Sequence, residues 1–378
     1  MLLSLSNTPR DYAWGSTSLL AELEGRAPAA TPEAEVWFGD HPGDPADIAG
    51  GGTLDEVTGG TLPYLLKLLA AASPLSIQVH PTIAQAREGW ARESGLDPAD
   101  PTRNYRDDNH KPELIVALSD RFESLSGLRP LPDTLRLLSL LGEGAAVAAL
   151  RARLEGDGDV FRDAIGWLLS GEAQQELDAI IVAVRDAAAA GDDEWGEALR
   201  AVARIADVYP GDPGVVVALL MNYVVLRRGE GIFLRAGLLH AYVSGLGVEI
   251  MAASDNVLRG GLTPKHIDVR ELLSILDTSA AQVPVLRPAE GQVVEYPVDV
   301  PDFSLRRVSV AGEPLTVTVE GPAMVLATRG DVVVTGAERR EFPVRVGSAV
   351  FASADEASLT ISGHGEAFVA APGAGSAV

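Results

Sequence analysis

The sequence predicts a mainly β protein interrupted by a helical domain, and three observations predict it. Turn signals and short apolar runs alternate through the first third, as in Asn7-Thr8-Pro9-Arg10, His41-Pro42-Gly43-Asp44 and Gly50-Gly51-Gly52. Between about residues 131 and 228, Gly and Pro thin out within segments, and Ala, Leu, Glu and Arg dominate. After about residue 276, short strands recur with Gly turns, the spacing of a sandwich or barrel of jelly-roll type. The expected division is a first β domain from residues 1–126 and 229–275, a helical insertion at 127–228, and a second β domain at 276–378.

Each element rests on a local pattern. Leu65-Leu66-Lys67-Leu68-Leu69 and Leu114-Ile115-Val116-Ala117-Leu118 are strand-length apolar runs. Residues 82–93 read as a helix ending near Gly95. Asp133 is an expected N-cap for the run that follows it. Leu177, Ile180, Ile181 and Val184 fall on one helical face, and residues 195–208 and 215–226 continue the helical texture. Ile232-Phe233-Leu234 and Gly247-Val248-Glu249-Ile250 return to strand. Leu315-Thr316-Val317-Thr318-Val319-Glu320 alternates with period two. Six short strands are then expected at 323–327, 331–335, 342–346, 349–351, 358–361 and 367–370, and a mobile tail from Gly373.

Composition narrows the function. The chain has 378 residues and a formal net charge of −23, which argues against nucleic acid as a partner. No apolar run nears the ~20 residues of a membrane span, and Met1-Leu2-Leu3-Ser4-Leu5-Ser6 lacks the features of a signal peptide. A cytoplasmic protein is the expectation. Zero Cys removes disulfides, thiolate catalysis and every sulfur-based metal site. A metal would have to be held by amide, carboxylate or one of six His.

Four segments could carry chemistry. In Ser76-Ile77-Gln78-Val79-His80, the polar residues are two apart and share one strand face, with Leu75, Ile77 and Val79 on the other. That face suits a pocket or plain solvent exposure. In His110-Lys111-Pro112-Glu113, Lys111 and Glu113 share a face, either as a salt-bridged strand entry or as a metal-binding carboxylate with a nearby cation. His240 and Tyr242 share a face, where a lone His is as readily a core residue. Arg259-Gly260-Gly261-Leu262-Thr263-Pro264-Lys265 sets two cations on a tight loop whose glycines allow close backbone approach to a ligand. Together they offer nitrogen and oxygen donors that Zn²⁺ or another divalent ion accepts, beside cations suited to a phosphorylated substrate.

These segments, in this order, resemble type I mannose-6-phosphate isomerase, a zinc enzyme family of the cupin class. Tyr12-Ala13-Trp14-Gly15 and Glu35-Val36-Trp37-Phe38-Gly39 also resemble the family's opening, and the likeness runs end to end. It implies a cupin jelly-roll catalytic barrel and a second jelly-roll-like domain. It implies one Zn²⁺ per chain on Gln78, His80, Glu113 and His240. Arg259 falls on the family's motif arginine, and Glu249 and Lys111 on its proton-transfer candidates, with Glu249 the first choice as base. Ser76, Lys265, Tyr242 and Asp255 are expected to contact substrate, with Ser76 and Lys265 at its phosphate. The implied reaction interconverts mannose 6-phosphate and fructose 6-phosphate through a cis-enediol, in a monomer whose partner is a small sugar phosphate. The competing readings are a non-catalytic sugar-phosphate-binding cupin and another metal-dependent cupin enzyme. Leu262 departs from the family, where an aromatic is common.

Overall fold

A computed structural model describes residues 1–374. The described residues form two sheets, of ten and nine strands, and ten helices. The first sheet is organised around the long strand His240–Ala252. Its second half is hydrogen-bonded on one side to Tyr64–Ala71 and on the other to Glu113–Ala117. Its first residues pair instead with Gln78 and with Phe122–Leu128.

Period-two alternation sorts the side chains of this sheet. Val36, Phe38, Leu66, Leu68, Leu114, Val116, Val248 and Ile250 share one core with Met324, Leu326, Phe351 and Phe368 of the second sheet. The two sheets therefore bury their apolar faces against each other. The intervening positions, Glu35, Lys67, Glu113 and Glu249, are forced to the opposite face by the same parity. All four are buried there. Burial of the apolar face fixes the register and so delivers these charges to one place.

The helical block runs from Leu131–Ser139 to Gly214–Leu219. Leu177, Ile180, Ile181 and Val184 are the buried face of Gln174–Ala190, as the spacing requires. Ile77 and Val79 join the core of this block. Leu75, expected on their side, lines the cavity on the opposite side with Ser76 and Gln78. The formal strand there is only Gln78–Val79, so strict alternation does not extend back to Leu75.

Several local expectations give way to tertiary pairing. Residues 221–226 are strand rather than helix, because Met221–Leu226 completes a ladder with Phe122–Leu128 and its Tyr and Val residues suit a pleated surface. Asp133 sits in the first turn of a helix that begins after Pro130, not at its cap. The short strands expected near 323–335 and 358–370 fuse into two long ones, Ala323–Thr335 and Ser358–Ala371. Gly330 permits this: its φ is +68° and a Cβ would lie 2.1 Å from the His364 carbonyl oxygen. Chain order and sheet membership also diverge. Leu2–Ser6, expected with the first β domain, pairs with Ala349–Ala352 in the second sheet. Val285–Leu286, expected with the second, pairs with Gly231–Leu234 in the first. Of the expected mobile tail, residues 375–378 lie outside the described residues, while Gly373 donates its N–H to the Pro301 carbonyl at 2.9 Å.

Candidate metal centre and active site

His80, Glu113 and His240 converge, with one ligand-type atom from each lying within 4.8 Å of the others. His80 Nε2 is 3.2 Å and His240 Nε2 3.4 Å from the Glu113 carboxylate. The Nδ1 atoms face backbone carbonyls: His80 toward Asn256 O at 2.7 Å, His240 toward Leu238 O at 3.0 Å. A carbonyl only accepts, so each Nδ1 carries a hydrogen, and each Nε2 is turned toward the carboxylate.

For His80 that arrangement is repulsive without a cation. Burial, only partly offset by Glu113, pushes the His80 pKa down to about 4, so the ring is neutral near pH 7. Its Nε2 is a buried atom with no hydrogen-bond partner among the described residues. Burial opposes ionisation of Glu113, yet Lys111 at 3.1 Å and the two imidazoles hold its carboxyl well below the usual range. Two imidazole lone pairs, an ionised carboxylate and no sulfur fit a borderline divalent ion such as zinc. Gln78 stands opposite His240 on the neighbouring strand. Its amide nitrogen donates to Ser76 Oγ at 3.3 Å, which leaves the amide oxygen as its donor to a metal.

Ser76, Gln78, Lys111, Glu113, His240, Tyr242 and Glu249 all line one cavity of about 90 Å³. Tyr242 Oη donates to Glu249 at 2.8 Å. Two residues not anticipated from the sequence share this cavity, Glu35 and Lys67. Lys67 Nζ lies 3.4 Å from Glu249, 3.8 Å from Glu35 and 5.1 Å from the Trp37 ring centroid. The Trp37 indole N–H donates to Glu35 at 2.8 Å. Burial opposes the Lys67 charge, but Glu35, Glu249 and Glu113 outweigh it and push its pKa up. Burial raises the Glu249 pKa; Lys67 opposes this, and Glu113 and Glu35 reinforce it. The available signal for Lys67 was one charge inside Leu65-Leu66-Lys67-Leu68-Leu69.

Arg259, Lys265 and Asp255 line a separate cavity of about 530 Å³, together with Arg103, Arg106 and His266. Ser76 and Lys265, expected to act together, are thus in different cavities. Arg259 links the two, because its register partner is Gln78. None of Arg103, Arg106, Arg259 and Lys265 has an ion-pair partner among the described residues. Burial and then Arg106 lower the Arg259 pKa, while burial and then Arg259 lower that of Lys265. Four cations held close together, none of them ion-paired, suit an anionic ligand. Asp255 is engaged by His41 at 3.0 Å, which holds its carboxyl below the usual range. The motif glycine Gly261, expected to admit a ligand, instead admits the helical block: a Cβ there would lie 2.3 Å from Gly214 Cα.

A model of the phosphomannose isomerase type I catalytic domain matches residues 49–131. Mannose-6-phosphate isomerase of Escherichia coli K12 is 33% identical over 388 aligned residues, covering 96% of this chain and 97% of that one. The Rattus norvegicus enzyme of the same name is 30% identical, covering 94% of each chain. Among solved structures, a lysine-to-alanine variant of phosphomannose isomerase from Salmonella typhimurium superposes with a TM-score of 0.88 at 30% identity, covering 98% of this chain and all of that one. A mannose 6-phosphate isomerase bound with zinc and yttrium gives 0.87 at 31%, covering 98% and 99%. Fold and site define a β protein with a candidate nitrogen–oxygen metal site beside a cationic cavity. Within that class, the chain belongs to the type I phosphomannose isomerase family.

Proposed function

We propose that the chain interconverts mannose 6-phosphate and fructose 6-phosphate, using one Zn²⁺ held by Gln78, His80, Glu113 and His240. The observation that carries this is the convergence of His80, whose ring is neutral, and His240 on an ionised, buried Glu113. Family membership supplies the substrate, since the relatives carry the name of that enzyme. The first sheet is read as a cupin-type jelly roll and the second as structural. A cytoplasmic monomer is the simplest form of this reading.

The reaction needs a weakly acidic C–H to ionise beside a carbonyl. Glu249 takes the C2 proton of the open-chain aldose, the C–H pair becomes the C1=C2 bond, and O1 gains a proton. Returning the proton to C1 while O2 loses its own gives the ketose. A bound divalent cation supplies electrostatic stabilisation of the enediolate oxygens. Lys67 and Lys111 hold positive charge beside the carboxylates of the pocket, and Tyr242 orients Glu249. Arg259 and Lys265 bind phosphate at the mouth of the cationic cavity. No redox cofactor is required, because C1 is reduced as C2 is oxidised.

The test is a coupled assay for fructose 6-phosphate formed from mannose 6-phosphate. Activity should vanish on exhaustive chelation and return with Zn²⁺. Full activity in a protein shown to be metal-free would overturn the reading.

A further inference from the structure

Two loops meet beside His80: residues 104–110, which lead into Glu113, and residues 253–257, which lead into Arg259. One side chain joins them. Asn256 is 0% exposed. Its Oδ1 accepts from the backbone N–H of Arg106 at 2.7 Å and of Asp107 at 3.3 Å. Its Nδ2 donates to Asp107 O at 2.9 Å, Asp107 Oδ1 at 3.0 Å and Asn109 O at 2.8 Å. The Asp107 carboxylate also accepts from Ser254 Oγ at 2.8 Å and the Asp255 N–H at 2.7 Å. Only an amide fits, because one end faces two donors and the other faces three acceptors.

The backbone carbonyl of this same residue is the acceptor for His80 Nδ1. Its place decides which ring nitrogen carries hydrogen and where Nε2 points. We propose that Asn256, clasped by Asp107, is a positioning residue for the metal centre, fixing the tautomer and aim of His80 and tying both to the Arg259 loop. This rests on the metal reading of the site. The site's own residues leave the task undone: among the described residues His80 Nε2 has no hydrogen-bond partner, so Nδ1 carries the only hydrogen bond that orients the ring.

The experiment uses the full chain and Zn²⁺ alone. Affinity is measured by competition with a chromogenic chelator, and the His80 Nδ1–H resonance is followed by NMR in metal-free, ¹⁵N-labelled protein. Asn256→Asp sets a carboxylate against three acceptors. It should weaken Zn²⁺ binding about 10–100-fold and shift or abolish the His80 resonance. Ser254→Ala, which removes one strut of the clasp, should move both in the same direction by less. Wild-type affinity and an unmoved resonance in Asn256→Asp would overturn the proposal, even if its melting temperature falls. If Asn256→Asp does not fold, the same two readings in Ser254→Ala decide, and no change overturns the proposal. His80→Ala separates the two layers. If it binds Zn²⁺ as tightly as wild type, the metal reading fails, and the resonance alone then judges the clasp.

Discussion

Glu249 and His80 show how one fold moves two titrating groups in useful directions. Glu249 is buried beside Lys67, Glu35 and Tyr242, and its carboxyl titrates above the ordinary range. A base must be ionised to act, so kcat/KM should fall as pH drops through that raised value, giving an acid limb above that of an exposed Glu. Glu249→Gln should lower kcat by about 10²–10⁴-fold with a smaller change in KM, measured in the coupled assay. Near wild-type kcat would move the base elsewhere. His80 makes a different prediction, for the metal-free protein. Its folded pKa of about 4 lies below the 6.5 of the unfolded chain. Between those values the unfolded state binds a proton that the folded state refuses, so stability falls as pH falls and is independent of this group above 6.5. The full span amounts to roughly 3 kcal/mol. Urea unfolding of wild type and His80→Gln in excess chelator, from pH 7 to 4, checks it: the variant should lose less stability on acidification.

At the scale of elements, the Arg259 motif is positioned by what lies behind it. Gly261 has a φ of +124° and its backbone lies against Gly214. Leu262 follows at φ +56°, fully buried, with its N–H held by Asp212 at 2.9 Å. The helical block is thus the surface on which the motif is moulded. Gly261→Ala adds a strained φ and a backbone clash, and should cost about 2–4 kcal/mol by denaturant midpoint. It should also lower kcat/KM, because Arg259 is two residues away; a stable, fully active variant would contradict this. The sequence was legible here in part. Spacings of two singled out Gln78, His80, Lys111, Glu113 and His240 only as candidates, and their roles came from the family resemblance. Lys67, Glu35 and Asn256 were not read, since their roles depend on strand partners far away in sequence. Lys67 faces Glu249 through a register set between residues 182 positions apart in the chain, and Asn256 looks like any loop amide until Asp107 is beside it.

At the scale of the whole molecule, texture revealed the β–α–β order, because helix and strand periodicities differ. It did not reveal that Leu2–Ser6 joins the second sheet, since one apolar strand edge reads like another until its partner is known. Nor did texture separate the two cavities or show where the acidic surface gives way. The chain carries −23, and its proposed substrate is a phosphate dianion. Distant repulsion slows encounter, while Arg103, Arg106, Arg259 and Lys265 create a local potential of the opposite sign. The far field is screened by salt over ~10 Å at 0.1 M, and contacts inside the cavity are screened much less. Lys265 is exposed, as is Arg106, and acts partly through that screened field. Lys265→Gln should therefore cost more at low salt than at high salt. We expect a loss in kcat/KM of about 10-fold at 20 mM NaCl shrinking to about 3-fold at 500 mM. Arg259 is half-buried beside Gln78, so the loss in Arg259→Ala should be larger and nearly independent of salt. Steady-state kinetics across that range distinguishes the two roles. A salt-independent Lys265→Gln penalty would mean that this lysine acts only by direct contact, and that the cavity does not reverse the field of the surface around it.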